Sequence, residues 1–261
     1  MAKDDKYAEL AKAEFRDEAR DRFISLQIDY SNIRSKSAAE KEGVRELTRD
    51  AEKVMLCARS AEAMVLYLTM KRLVSFLEVD SNRLPHHYPD IDAILDVAEQ
   101  ICEGEIDDDT DQAEFLRSLP TPQPLDTPSF GGHDVEILLV EPQRTTTRLI
   151  ANQVQELGYS VTPTHDVFEA LKLAVSTKPD MILASVMQKD LSGISLARAF
   201  KAVEETQHMP VAILTSFAPG NKALEALPDD VALVDKGKKF KSDLIATLRR
   251  FEIIPEGPDV A

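Results

Sequence analysis

Pro179-Asp-Met-Ile-Leu-Ala-Ser185-Val-Met-Gln-Lys-Asp-Leu-Ser-Gly193 is the stretch whose reading decides the fold of the C-terminal half. Its apolar run Met181-Ile-Leu-Ala184 reads as a buried parallel strand, and two more runs, Ile137-Leu-Leu-Val140 and Val211-Ala-Ile-Leu214, read the same way. Tyr159-Ser-Val161 and Ala232-Leu-Val234 are weaker strand candidates. Amphipathic segments lie between them: Thr145 to Leu157, Val167 to Ser176, Gly193 to Glu205, Gly220 to Leu227 and Lys239 to Phe251. Alternation of this kind predicts five βα units in a doubly wound α/β sheet, a flavodoxin-like (βα)5 domain over about 135–251. In such sheets the working site lies at the C-terminal ends of the strands.

The residues at those ends resemble a two-component response-regulator receiver domain. Ile137-Leu-Leu-Val-Glu141 is similar to the first receiver strand, which normally ends in two or three acidic residues that hold magnesium. Here Glu141 is followed by Pro142 and Gln143, so one acid stays and its neighbour is replaced. Leu191-Ser-Gly193 resembles the turn before the third helix, with Lys189 where receivers usually have proline. Leu214-Thr215-Ser216 resembles the fourth strand and its switch hydroxyl, and Val234-Asp-Lys236-Gly237 the lysine position, with Gly237 in place of proline. Ser185 stands where the family carries its phosphoacceptor aspartate. A serine hydroxyl near neutral pH is not the ionised nucleophile that an aspartate offers.

The resemblance therefore implies a degenerate pocket of Glu141, Pro142, Ser185, Thr215 and Lys236, with no bound cofactor or metal, in a pseudo-receiver. Lys236 is expected to pair with Glu141 where the metal would be. Thr215 and Lys236 also read as ordinary polar contacts that maintain the fold. Receivers commonly bind partners through their last strands and helices. That places a candidate interaction surface at Leu233, Lys236, Lys238, Lys239 and Lys241, a basic cluster suited to an acidic protein partner.

Residues 1–103 have a different texture, with almost no turn residues apart from Gly43 and a break from Ser81 to Asp90. Apolar positions recur at helical spacing through Phe23, Leu26, Tyr30 and Ile33, then Val44, Leu47, Ala51, Val54, Ala58, Ala61 and Val65. The pattern predicts an all-α bundle: a charged first helix, long helices, one of them continuing toward Val79, and a shorter one from about Asp90 to Cys102. The long helix becomes apolar nearly all round from Ala63, and such a helix must be enclosed on every side. This predicts a homodimer through Met64, Leu66, Leu68, Leu73, Phe76 and Leu77, with a self-sufficient monomeric bundle as the alternative. Residues 104–134 read as a linker, acidic from Glu103 to Asp111 and then stiffened by Pro120, Pro122, Pro124 and Pro128 before Gly131-Gly132. The acids lack the glycine and final glutamate of a calcium loop. Residues 252–261 read as a tail.

Composition excludes other classes. At 43% hydrophobic and 30% charged, the 261-residue chain has the make-up of a globular protein. Its net charge of −15 argues against nucleic acid and anionic membranes, because phosphate contacts need clustered Lys and Arg. Cys57 and Cys102 read as buried free thiols of a reducing cytoplasm. No apolar run approaches the roughly 18 residues of a membrane span. His86 and His87 lie in an apparent loop, while His133, His165 and His208 are isolated, with no triad around them. The sequence thus points to a non-enzymatic regulatory protein acting by phosphorylation-independent contacts with protein partners of a bacterial signalling pathway. Two alternatives stand beside it: a phosphorelay component with an atypical acceptor such as Ser185 or His87, and a transcriptional regulator with DNA-contacting helices.

Overall fold

The computed structural model describes residues 2–35, 41–78, 83–122, 135–218 and 220–254, and the chain folds as two units, residues 1–122 and 123–261. In the first unit, α1 (Ala2–Arg34) turns Ala19, Phe23, Leu26, Tyr30 and Ile33 inward. The spacing of three and four residues keeps these side chains on one face. α2 (Lys41–Ser60) buries Val44, Leu47, Ala51, Val54 and Ala58 by the same rule.

The long helix expected to run on to Val79 breaks after Ser60, and α3 (Met64–Leu77) starts anew; Val79 itself lies outside the described residues. Glu62 adopts a left-handed φ of 56°, the Glu62 amide donates to Arg59 O at 3.2 Å, and the Ala63 amide donates to Ala58 O at 2.9 Å. This pair of bonds closes a helix end around one left-handed residue, a place usually taken by glycine. The new N-terminus has no cap from its own Ala63. Asp108 supplies one from 43 residues away, its Oδ1 accepting from the Val65 amide at 2.9 Å.

That contact changes the meaning of the acidic stretch. Residues 104–122 are part of the helical unit and not a linker. α4 (Tyr88–Glu103) ends on Gly104, which takes a φ of 81°. Asp111 then caps α5 (Gln112–Ser118) through the amides of Ala113 and Glu114. α5 buries Phe115 and Leu116 next to α3, and Arg72 of α3 donates to Leu116 O at 3.3 Å. The remaining linker features, Pro124, Pro128, Gly131 and Gly132, lie outside the described residues, as do Ser81, His133 and 255–261.

The proposed dimer face is corrected for the same reason. Met64, Leu66, Leu68, Leu73, Phe76 and Leu77 are each at most 7% exposed within the single chain. α2, α4 and α5 enclose α3, so the helix that had to be covered on every side is covered without a partner. The missing cover was α5, hidden in a segment whose acids and prolines read as linker.

His87 ends a 3-10 turn (Leu84–His87) and is 4% exposed, its ring edge-on to Phe76 at 5.5 Å between centroids. Burial lowers its pKa below the ordinary 6.5, against the opposing pull of Asp90, whose carboxylate is 3.7 Å from Nδ1. A histidine held neutral in the fold takes up a proton more readily when unfolded. Its contribution is therefore complete above about pH 6.5 and lost as the pH falls below that value. We expect the urea midpoint of the full chain to drop between pH 7.5 and pH 5 more in the wild type than in His87→Leu; equal drops would refute the assignment. The two cysteines are free and half-buried rather than fully buried, and burial raises both thiols, Cys102 to about 11.

In the second unit β1 (Glu136–Val140), β2 (Ser160–Thr164), β3 (Met181–Ser185), β4 (Val211–Thr215) and β5 (Ala232–Asp235) form one parallel sheet in the order β2-β1-β3-β4-β5. β1, β3 and β4 are buried along their whole length, as strands covered on both faces must be. The crossovers are α6 (Arg144–Gln155), α7 (Val167–Thr177) and α8 (Gly193–Ala202), and α9 (Phe240–Arg250) closes the chain of elements. Phe240, Leu244 and Leu248 of α9 and Ile150 and Val154 of α6 pack on the face formed by Ile137, Leu139, Met181, Leu183, Leu214 and Val234.

The helix expected from Gly220 to Leu227 is reduced to a 3-10 turn over Lys222–Leu224, with Leu224 as its one buried residue. Gly220 takes a left-handed φ of 84° and Pro228 follows at the far side, so few residues remain to propagate a helix. The expected tail is partly core: Ile253 and Ile254 pack against it, and the Ile253 amide donates to Leu248 O at 2.9 Å.

Candidate functional site

Strand register brings the predicted pocket together. Val140 pairs with Ala184, Ser185 with Leu214 and Thr215 with Asp235, so the strands end side by side at one edge of the sheet. Glu141, one residue past β1, is 2% exposed, and its amide donates to Thr164 O at 3.0 Å. Lys236, one residue past β5, donates its amide to Thr215 O at 3.0 Å and turns its side chain across the edge. Its Nζ donates to Glu141 Oε2 at 2.6 Å and to Ser185 Oγ at 2.7 Å. The ion pair expected from the sequence is thus present, and Ser185, 0% exposed, is held as its third member.

The other positions have local duties. Thr215 Oγ1 accepts from the Phe217 amide at 3.0 Å, which fixes the turn after β4. Pro142 is half-buried, and its ring offers no oxygen. The Gly237 amide donates to Asp235 Oδ2 at 2.9 Å, which shapes the turn after Lys236.

Two residues escaped sequence reasoning. Gln188 Nε2 donates to Val140 O at 2.9 Å and to Ser185 O at 3.2 Å, stapling the ends of β1 and β3. His165, read as isolated, sits with Nδ1 2.7 Å from Glu141 O, and Thr147 Oγ1 donates to the same carbonyl at 3.2 Å. A carbonyl only accepts, so Nδ1 carries the proton. Neither role has a sequence signature, because each depends on side chains meeting across loops.

A divalent cation does not fit these residues. Magnesium requires several oxygen donors in a near-octahedral arrangement. The edge supplies one carboxylate, Glu141, and an ammonium group already occupies one of its oxygens and the Ser185 hydroxyl. Among the described residues no group of three or more His, Cys, Asp or Glu is placed to hold a metal ion.

The predicted interaction surface is only partly a surface. Lys236 points into the pocket and Leu233 is half-buried in β5. Lys241 bridges to Glu156, the residue just past α6, at 2.6 Å. Lys238 and Lys239 remain exposed at the start of α9.

A doubly wound five-stranded sheet with an acid, a hydroxyl and a lysine converging at its carboxyl edge defines a signal-receiver type of domain. The family model for the response regulator receiver domain matches residues 137–239, and over this region the chain belongs to that family. The polar-differentiation response regulator DivK of Brucella anthropi is 30% identical over 82 residues, 31% of this chain and 67% of the relative. DivK of Brucella ovis is 32% identical over the same length and shares. Among solved structures, the receiver domain of sensor histidine kinase PA1611 from Pseudomonas aeruginosa is 27% identical, with 45% of this chain and 98% of that chain covered and a TM-score of 0.41. Chemotaxis protein CheY4 of Vibrio cholerae is 22% identical, with 45% and 98% covered and a TM-score of 0.40. The family places the chain in two-component signalling and in a regulatory role. No helix among the described residues is long and apolar enough to cross a membrane.

Proposed function

We propose that this protein is a two-component regulator whose receiver works without phosphorylation, through contacts with bacterial signalling proteins. The observation that carries the reading is the Lys236 ammonium held between Glu141 and Ser185, where phosphotransfer would need a free carboxylate and a metal. The lysine that would otherwise hold a phosphoryl group neutralises the remaining acid instead. Lys238 and Lys239 give an acidic partner a point of attachment beside the locked pocket. The atypical-acceptor alternative loses its two candidates to burial, since neither the Ser185 hydroxyl nor the His87 ring presents itself to a phosphodonor.

Incubation of the full chain with magnesium and acetyl phosphate should leave its intact mass unchanged. A stoichiometric gain of one phosphate would overturn the reading. Ser185→Asp alone should also remain unmodified, because Pro142 leaves the metal site short of a ligand and Lys236 still occupies Glu141.

A further inference from the structure

The break between α2 and α3 runs against its own sequence. Ser60-Ala-Glu-Ala63 holds neither glycine nor proline, and alanine and glutamate are strong helix formers. The apolar positions Ala51, Val54, Ala58, Ala61, Val65 and Leu68 keep a spacing of three and four straight through it, and all are buried. Glu62 nevertheless stands in the left-handed region, which side chains disfavour. Such a conflict between local sequence and folded chain marks a strained or functional position. We propose that residues 61–63 are a hinge across which two copies of this chain exchange α3, α4 and α5, each copy forming one continuous helix over 41–77.

The interface of the exchanged pair is already present within one chain. α3 packs on α2 and follows it after three residues, so the two helices run antiparallel. Two straightened chains then lie antiparallel with their hinges at the two-fold axis, and α2 of each copy covers α3 of the other. α4 and α5 travel with α3 and keep the rest of its surface enclosed. The ties from α1 to α4 re-form between chains: Tyr30 Oη to Asp92 Oδ1 at 2.9 Å, and Arg34 Nη1 to Asp92 Oδ2 at 2.6 Å. Only the hinge changes. Straightening returns Glu62 to a helical φ and lets the Val65 amide donate to Ala61 O, so the cap from Asp108 is no longer needed. Asp108 therefore holds the single chain closed, together with Lys12, whose Nζ is 3.0 Å from Glu62 Oε2. A short strained hinge of this kind favours exchange.

Exchange requires the helical unit to open, so the full chain is unfolded in urea, refolded at about 1 mM and sized by chromatography with light scattering. Residues 1–122 hold 17 Lys and Arg against 27 Asp and Glu, so about 0.5 M salt is added to screen repulsion between copies. A species of twice the chain mass should form and persist after dilution, because separation again requires unfolding. Asp108→Ala should raise its fraction several-fold by removing a cap that only the closed chain uses. Glu62→Gly should lower it several-fold, since glycine accepts the left-handed hinge and weakens a continuous helix. That variant carries the comparison if Asp108→Ala does not fold. In dimers refolded from mixed light and isotope-labelled chains, a carbodiimide crosslink between Arg34→Lys and Asp92 should join light to heavy peptides. A single chain mass in both wild type and Asp108→Ala overturns the proposal. So does a dimer that separates on dilution, or one whose crosslinks stay within a chain.

Discussion

Replacing Lys236 with methionine is expected to destabilise the receiver unit by about 3 kcal/mol, the lower end of the cost of orphaning one member of a buried ion pair. Lys236 keeps some contact with water, which limits the loss, but Glu141 does not: it is enclosed beneath the lysine and at the end of the central strands. Methionine fills a similar volume, so the change isolates the charge and its two hydrogen bonds. Glu141→Gln in the same chain should recover at least half of the loss, because the uncompensated carboxylate is removed with its partner. Hydrogen exchange of the β1 and β3 amides in urea reads this unit separately from the helical one. Unchanged protection in Lys236→Met would mean that the clamp across the sheet edge contributes nothing to stability.

Gly193→Ala should cost a similar amount, about 3 kcal/mol, by a steric route. A methyl group built on Gly193 would lie 2.1 Å from the Ser185 carbonyl oxygen, 2.8 Å from its carbonyl carbon and 2.9 Å from Val186 Cα. All three are backbone atoms, so no side-chain rotation relieves the clash. The Gly193 amide donates to Val186 O at 2.9 Å, which draws the start of α8 against the end of β3. Relief requires moving either α8 or Ser185, and Ser185 is held by Lys236. The variant should therefore lose protection in β3 as well as in α8. Wild-type protection in both elements would show that the helix start can shift without cost.

The two substitutions probe one device from opposite sides. Lys236 ties β5 to β1 and β3 through side chains, and Gly193 lets a helix approach β3 closely enough to fix the position of Ser185. A receiver that switches needs freedom at this edge. Here the edge is stapled by Lys236, Gln188 and the His165 contact to Glu141, which fits a domain that presents one fixed surface to its partners.

The sequence by itself determined the parallel sheet, because strands covered on both faces must be unbroken apolar runs, and Ile137 to Val140, Met181 to Ala184 and Val211 to Leu214 are such runs. The resemblance of the strand-end residues to receiver motifs implied that Glu141, Ser185, Thr215 and Lys236 share one pocket and that Lys236 pairs with Glu141. Tertiary structure alone decided the fate of α3. Its apolar surface stated only that something must cover it, and α5, from a segment that reads as linker, does so. Asp108 is likewise an acid in a polar run until the fold brings it to the N-terminus of α3, which has no cap of its own. The helix between β4 and β5 fails because Gly220 and Pro228 leave too short a span, a limit that side-chain periodicity does not register. Periodicity records how much of an element must be buried. The identity of the covering surface is a long-range choice that only the folded chain makes.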